Sequence, residues 1–224
     1  MIVNNRRALV LAGALLAGAV LLGALVAVPA TRQYVHDVDG AVRRFAVRVQ
    51  NRPTTLIAET FAWIGGVWIN WAIRIVAFVV LAVRRQFLQL AAFALAVLTS
   101  EILIGTLKAA YDRPRPPGAL VATSGASFPS GHAIAGAVTA VGIVLVAVPP
   151  GPARWKWEAR AIAFAFLMAL SRVYLRAHWL SDAVAGALLG GAIALGWPAT
   201  LQALRSRTTP APPITEKQEV RKNA

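Results

Sequence analysis

Residues 8–28 run for 21 positions without a charge, and further long apolar runs follow at 56–83, 88–107, 132–148, from about 160 onward, and at 181–204. At 1.5 Å rise per residue, about 20 apolar residues cross the hydrocarbon of a bilayer. Within lipid, a helix satisfies its own backbone hydrogen bonds, so repeated runs of this length specify spanning helices. Composition agrees. Of the 224 residues, 58% are hydrophobic and only 14% charged, with a mean hydropathy of +0.61; a water-soluble domain of this size has no use for so much apolar surface. The expected fold is therefore all-α, a polytopic membrane helical bundle with about six transmembrane helices.

The first run competes with a cleaved signal peptide, since Val28-Pro29-Ala30 is a passable small-residue cleavage site. Its length exceeds the usual signal core and favours a retained span. Between it and the next run, Val35, Val38, Val42, Phe45 and Val49 recur at intervals of three and four, with Arg43, Arg44 and Arg48 among them. That pattern predicts an amphipathic helix on the membrane surface, or a solvated connecting helix of the same periodicity. The run at 56–83 is long for one span and carries Glu59, Asn70 and Arg74, so its early part is expected at the interface. Residues 1–204 read as one membrane-embedded domain. Residues 205–224, polar, basic and proline-containing, read as a disordered tail.

A net charge of +14 raises the question of nucleic acid. The cations fall mostly between apolar runs, and no basic stretch is interleaved with aromatics, so membrane topology accounts for them and nucleic-acid binding is not expected. An even number of spans puts both termini on one side. Twelve Lys and Arg lie on that side, against five in the first loop once those in and beside the motifs below are set apart. The balance predicts cytoplasmic termini. With no cysteine and three histidines, disulfides, thiolate chemistry and a structural zinc site are not expected.

Three short blocks carry the chemistry: Lys108 with Arg115 and Pro116, then Pro129-Ser130-Gly131-His132, then Ser171-Arg172 with His178 and Asp182. Each lies at the end or the start of an apolar run, and alternation of the runs puts all three at one face of the membrane, opposite the termini. Three fixed cations and two histidines, one followed four residues later by a carboxylate, suit the capture and cleavage of a phosphate ester. Ser130 is a natural N-cap, and the free N–H groups of a capped helix start form an anion site. Gly131 lets a backbone approach closely. Taken alone, Asp182 reads better as a helix first-turn acid after Ser181, favoured by the helix dipole.

The blocks resemble the three signature motifs of the type 2 phosphatidic acid phosphatase superfamily, and the apolar runs resemble its integral-membrane lipid phosphatase branch. The resemblance covers Lys108 to Asp182. It implies that His178 is the nucleophile and forms a phosphohistidine, that Asp182 orients its ring, and that His132 protonates the leaving oxygen. It also implies that Lys108, Arg115 and Arg172, with Ser130 and Gly131, bind the phosphoryl oxygens without a metal or other cofactor. The implied substrate is a lipid phosphate or pyrophosphate: polyprenyl pyrophosphate, phosphatidylglycerol phosphate and phosphatidic acid all fit. The implied location is a bacterial cytoplasmic membrane with the site at its outer face. A lipid phosphotransferase using the same intermediate, or a non-catalytic lipid-phosphate transporter or scaffold, would carry similar motifs.

Arg113 and Arg176, which flank the motifs, are weaker candidates for widening the phosphate pocket or meeting lipid head groups. Glu101 is a candidate to pair with a basic residue such as Arg74 within the bundle, since an isolated charge there is costly. His36 reads as a surface histidine, and Tyr111 and Trp179 as interfacial anchors.

Overall fold

The computed structural model describes residues 5–208. The described residues form eight helices and no strand: α1 (Asn5–Ala27), α2 (Pro29–Arg48), α3 (Arg52–Ile64), α4 (Val67–Val83), α5 (Phe87–Tyr111), α6 (Gly131–Ala147), α7 (Arg154–Tyr174) and α8 (Leu180–Thr208). Large apolar side chains such as Val10, Leu21, Val76, Val79 and Phe166 point outward. In water that would be an anomaly, whereas in lipid it is the expected finish of a helix bundle.

The count of about six spans holds only approximately. By length and apolarity α1, α5 and α8 qualify alone, and α3 with α4, bent by 51° at a short break, forms a fourth candidate. Helix α6 is apolar but has 17 residues, and α7 opens with Arg154, Lys156, Glu158 and Arg160. The bend at Gly65-Gly66 turns α3 away from α4, as the length of the 56–83 run foreshadowed. Helix α7 begins earlier than residue 160, and α8 continues through Pro198 to Thr208. Residues 205–208, expected in the tail, are therefore helical; the remainder of that tail lies outside the described residues.

Helix α8 packs against α1, α5, α6 and α7, most extensively against α1 and α6. Small residues set the distance between α6 and α8. A Cβ on Gly186 would lie 2.6 Å from the Ser130 carbonyl oxygen, and one on Gly190 would lie 2.7 Å from that of Ile134. Only glycine lets α8 press onto the backbone of α6 this closely. The contact fixes the start of α6, which carries Ser130, Gly131 and His132.

Two polar features depart from a simple apolar bundle. Inside it, Arg74 of α4 is buried and pairs with Glu101 of α5 at 2.6 Å, as expected from the sequence. Its Nε donates to Thr139 Oγ1 of α6, and the Thr139 hydroxyl donates to Asn70. At the rim, α2 is rolled relative to its apolar stripe: Val35 and Val42 pack inward, while Val38 and Phe45 are exposed. Asp39 and Ala46 occupy the buried face instead. The cause is Asp39, whose carboxylate is hydrogen-bonded to Ser181 at the start of α8.

Candidate active site

Backbone signals at four helix ends position the site. Helix α5 stops just after Lys108, with Asp112 at its C-cap in the left-handed region (φ 38°), a conformation that Asp tolerates better than most residues. Helix α6 starts at Ser130, whose hydroxyl accepts from Ala133 N–H. Helix α7 ends in a Schellman turn: Arg176 N–H donates to the Val173 carbonyl and Ala177 N–H to that of Arg172. Arg176 occupies the left-handed position (φ 57°) usually given to glycine, so the reversal stores strain beside the reacting groups. Helix α8 starts with Asp182 reaching back to Trp179 N–H at 2.9 Å, the carboxylate half of a capping box.

These ends bring together all eight sequence-predicted site residues. His178 is buried, and its Nδ1 lies 2.8 Å from the Ser127 carbonyl oxygen. A carbonyl only accepts, so Nδ1 carries the proton and Nε2 holds the lone pair. Arg115 Nη1 lies 3.3 Å from that Nε2. Asp182 Oδ2 is 3.7 Å from Nδ1. The carboxylate therefore stands beside the imidazole, and the direct hydrogen bond goes to a main-chain oxygen that no motif encodes. The remaining partners of Asp182 are the Ser127 hydroxyl, Trp179 N–H and Arg113 Nη1 at 2.6 Å. Helix capping and proximity to the histidine are thus both roles of the same side chain.

The cations form a group without acidic partners. Lys108 Nζ donates to the Ala126 carbonyl. Arg115 donates to the carbonyls of Ser124, Gly125, Ala126 and Ala177. Arg172 is buried, with its Nε unpartnered. Among the described residues, none of the three forms an ion pair. Main-chain oxygens hold the Lys108 ammonium and the Arg115 guanidinium in place but do not neutralise them, which leaves a site for an anion. Burial pushes the Arg115 guanidinium down from its ordinary value, with Asp182 acting in the opposite sense. Burial also pushes the His178 imidazole down to about 4; Asp182 opposes the shift, and Arg115 and Arg172 add to it. His178 is therefore neutral at pH 7.

His132 lies within electrostatic reach of Arg172, His178 and Arg115, and its ring meets the backbone of Ala62. The break between α3 and α4 is pressed against it: a Cβ on Gly65 would lie 3.0 Å from His132 Cδ2 and 2.5 Å from Met168 Sδ. Gly131, by contrast, has room for a methyl group, with Ile104 the nearest atom at 3.5 Å from a built Cβ.

Several expectations need correction. Arg113 turns both terminal nitrogens inward, Nη1 to Ser181 and Asp182 and Nη2 to Asp39, and so braces the acids of the site instead of joining the phosphate-binding cations. Arg176 lines a small recess with His178 and Trp179. Trp179 is buried, donates its indole N–H to the Pro114 carbonyl, and forms a wall of the site in place of the interfacial anchor expected. Tyr111 packs at a tilt on Phe128, while His36 is exposed, as expected, and meets Trp179 edge-on. Sequence reasoning also passed over Ser127 and Asp39. The first acts largely through a backbone oxygen, which leaves no signature. The second is an acid within a basic helix, and that contrast was the available signal.

Comparison with known proteins bears on the fold and the family. Among solved structures, the chain is similar to a transmembrane PAP2-type phosphatidylglycerolphosphate phosphatase from Bacillus subtilis, at a TM-score of 0.73 and 23% identity, over 88% of this chain and 97% of that one. It is also similar to LpxE from Aquifex aeolicus, at a TM-score of 0.58 and 20% identity, over 70% of this chain and 92% of that one. Identities this low speak for the fold alone. Comparison with curated proteins finds no match. The family model of the PAP2 superfamily matches residues 89–206, more than half the chain and all three motif blocks, and the chain is accordingly a member of the PAP2 superfamily.

Proposed function

We propose that the protein is a metal-independent membrane phosphatase that hydrolyses a lipid phosphate or pyrophosphate through a phosphohistidine on His178. The observation that carries this reading is the orientation of His178. Its Nδ1–H is committed to the Ser127 carbonyl at 2.8 Å, so the Nε2 lone pair faces Arg115 within a group of cations that lacks carboxylate partners. A phosphoryl group held by Lys108, Arg115 and Arg172 would sit where that lone pair can attack.

In the first step Nε2 forms a bond to phosphorus while the bond to the leaving oxygen breaks, and His132 supplies a proton to that oxygen. The imidazole gains positive charge, which the Ser127 carbonyl and the nearby Asp182 carboxylate offset. The three cations hold the equatorial oxygens as charge builds on them, the service a metal ion provides in other phosphatases. In the second step water attacks phosphorus, the P–N bond breaks, and His132 takes the proton of the water. The Ser130 cap leaves N–H groups at the start of α6 free to meet the same oxygens.

A lipid substrate suits a site that opens at one end of an apolar bundle. The outer face of a bacterial cytoplasmic membrane, with both termini inside, suits the distribution of cations. The test is phosphate release by purified protein in detergent with EDTA, over a panel of lipid phosphates and pyrophosphates. Selective release that His178→Ala lowers at least about 10³-fold is expected. Turnover that requires an added metal, or that survives His178→Ala, would contradict the reading.

A further inference from the structure

Asp39 lies outside the region matched by the family model, on a helix at the rim of the bundle, yet it is buried. Its Oδ1 accepts from Ser181 N–H at 2.9 Å, and its Oδ2 accepts from the Ser181 hydroxyl at 2.6 Å and Arg113 Nη2 at 2.8 Å. The other end of the same guanidinium holds Asp182 Oδ1 at 2.6 Å. One fixed cation is thus divided between two carboxylates, and the second of these stands beside the reacting imidazole.

Resting on the phosphohistidine reading above, we propose that Asp39 is a positioning residue for the reaction: through Arg113 it fixes the place of Asp182 and keeps the group beside His178 net negative. Arg113 with two carboxylates carries a formal charge of minus one. With Asp39 neutralised, Arg113 would cancel Asp182, and the positive charge that develops on His178 during attack would lose its counterweight. The hydrogen bonds and ion pair of Asp39 go to Ser181 and Arg113 and not to the phosphate-binding cations Lys108, Arg115 and Arg172, so substrate binding is left alone. The groups that face His178 are Arg115 from the 112–130 loop, Arg172 from α7, His132 from α6 and Asp182 from α8; Asp39 reaches it only through Arg113. The polar link also explains why α2 buries an acid at the expense of its own apolar stripe.

The experiment compares wild type, Asp39→Asn, Asp39→Glu, Asp182→Asn and the Asp39→Asn/Asp182→Asn double variant, with His178→Ala as control, all as full-length protein normalised to folded material. Asp39→Asn is expected to lower kcat by about 10- to 100-fold with KM changed by less than about threefold. Asp39→Glu should restore much of the loss, and the double variant should be no worse than Asp182→Asn alone, because both act at one carboxylate. Arg113→Lys, which lacks the fork that presents one nitrogen to each carboxylate, should reproduce the kcat loss and serves if Asp39→Asn does not fold. Wild-type kcat per folded molecule in Asp39→Asn, even with lowered Tm, would reduce Asp39 to an anchor for α2 and overturn the proposal. Fully additive losses in the double variant would do the same. If His178→Ala turned over normally, the phosphatase reading itself would fall and this proposal with it; an inactive His178→Ala beside a fully active Asp39→Asn removes this proposal alone.

Discussion

The behaviour of His178 follows from where its two ring nitrogens point. Burial holds its pKa at about 4, against an ordinary 6.5. Below pH 6.5 the unfolded chain takes up a proton that the folded site refuses, so this residue's contribution is fully present above 6.5 and is lost as the pH falls toward 4. Across that window the loss is about 3 kcal/mol. Thermal unfolding in detergent should therefore show a steeper decline between pH 6.5 and 4 for wild type than for His178→Ala. Parallel curves for the two proteins would mean that the imidazole is not held neutral. Asp182→Asn should lower kcat by about 10²-fold, since it weakens both the turn that presents His178 and the charge beside it; kinetics at saturating substrate measure this. At this scale the motif residues were legible because each is a side chain with its own chemistry. The main hydrogen bond of the nucleophile was not, since it ends on the carbonyl of Ser127, and any residue at that position would offer the same oxygen.

Among the elements, α6 and α8 matter most. Their close contact depends on Gly186 and Gly190, and a methyl group at 190 would meet the Ile134 carbonyl. Gly190→Ala should cost about 1–3 kcal/mol, and Gly186→Ala should in addition lower activity, because the atom it displaces is the carbonyl of Ser130. Thermal melts and phosphate release separate the two effects. Equal activity losses at both positions would argue against this packing of α8 on α6. Loss of the Glu101 charge by Glu101→Gln should destabilise the bundle by about 1–3 kcal/mol, discounted because Glu101 is partly exposed although Arg74 is not. Here the sequence was informative about which helices exist and less so about how they turn. The stripe of α2 predicted its amphipathic character, but the stripe and the buried face differ by one residue's rotation, which Asp39 decides. The break between α3 and α4 was visible only as excess length. Its reason, a close approach of Gly65 to His132 and Met168, comes from segments far apart in sequence.

On the scale of the whole molecule, the bundle gathers three motif blocks at one end and leaves apolar side chains on its flanks. The orientation proposed above puts that end outside the cell. Because the chain has no cysteine, single cysteines can report it. In intact bacterial cells, a membrane-impermeant maleimide should label Thr123→Cys, in the exposed loop beside the site, and spare Gly151→Cys, in the loop between α6 and α7 at the other end. The reverse pattern would place the site on the cytoplasmic side. The central claim, that His178 carries the phosphoryl group, is tested most directly by quenching turnover under alkaline conditions, where phosphohistidine survives, and mapping phosphate on the chain by mass spectrometry. Phosphate is expected on His178 in wild type and nowhere in His178→Ala. Phosphate on another residue, or phosphate release at the wild-type rate from a chain that carries no phosphohistidine at any quench time, would contradict that claim.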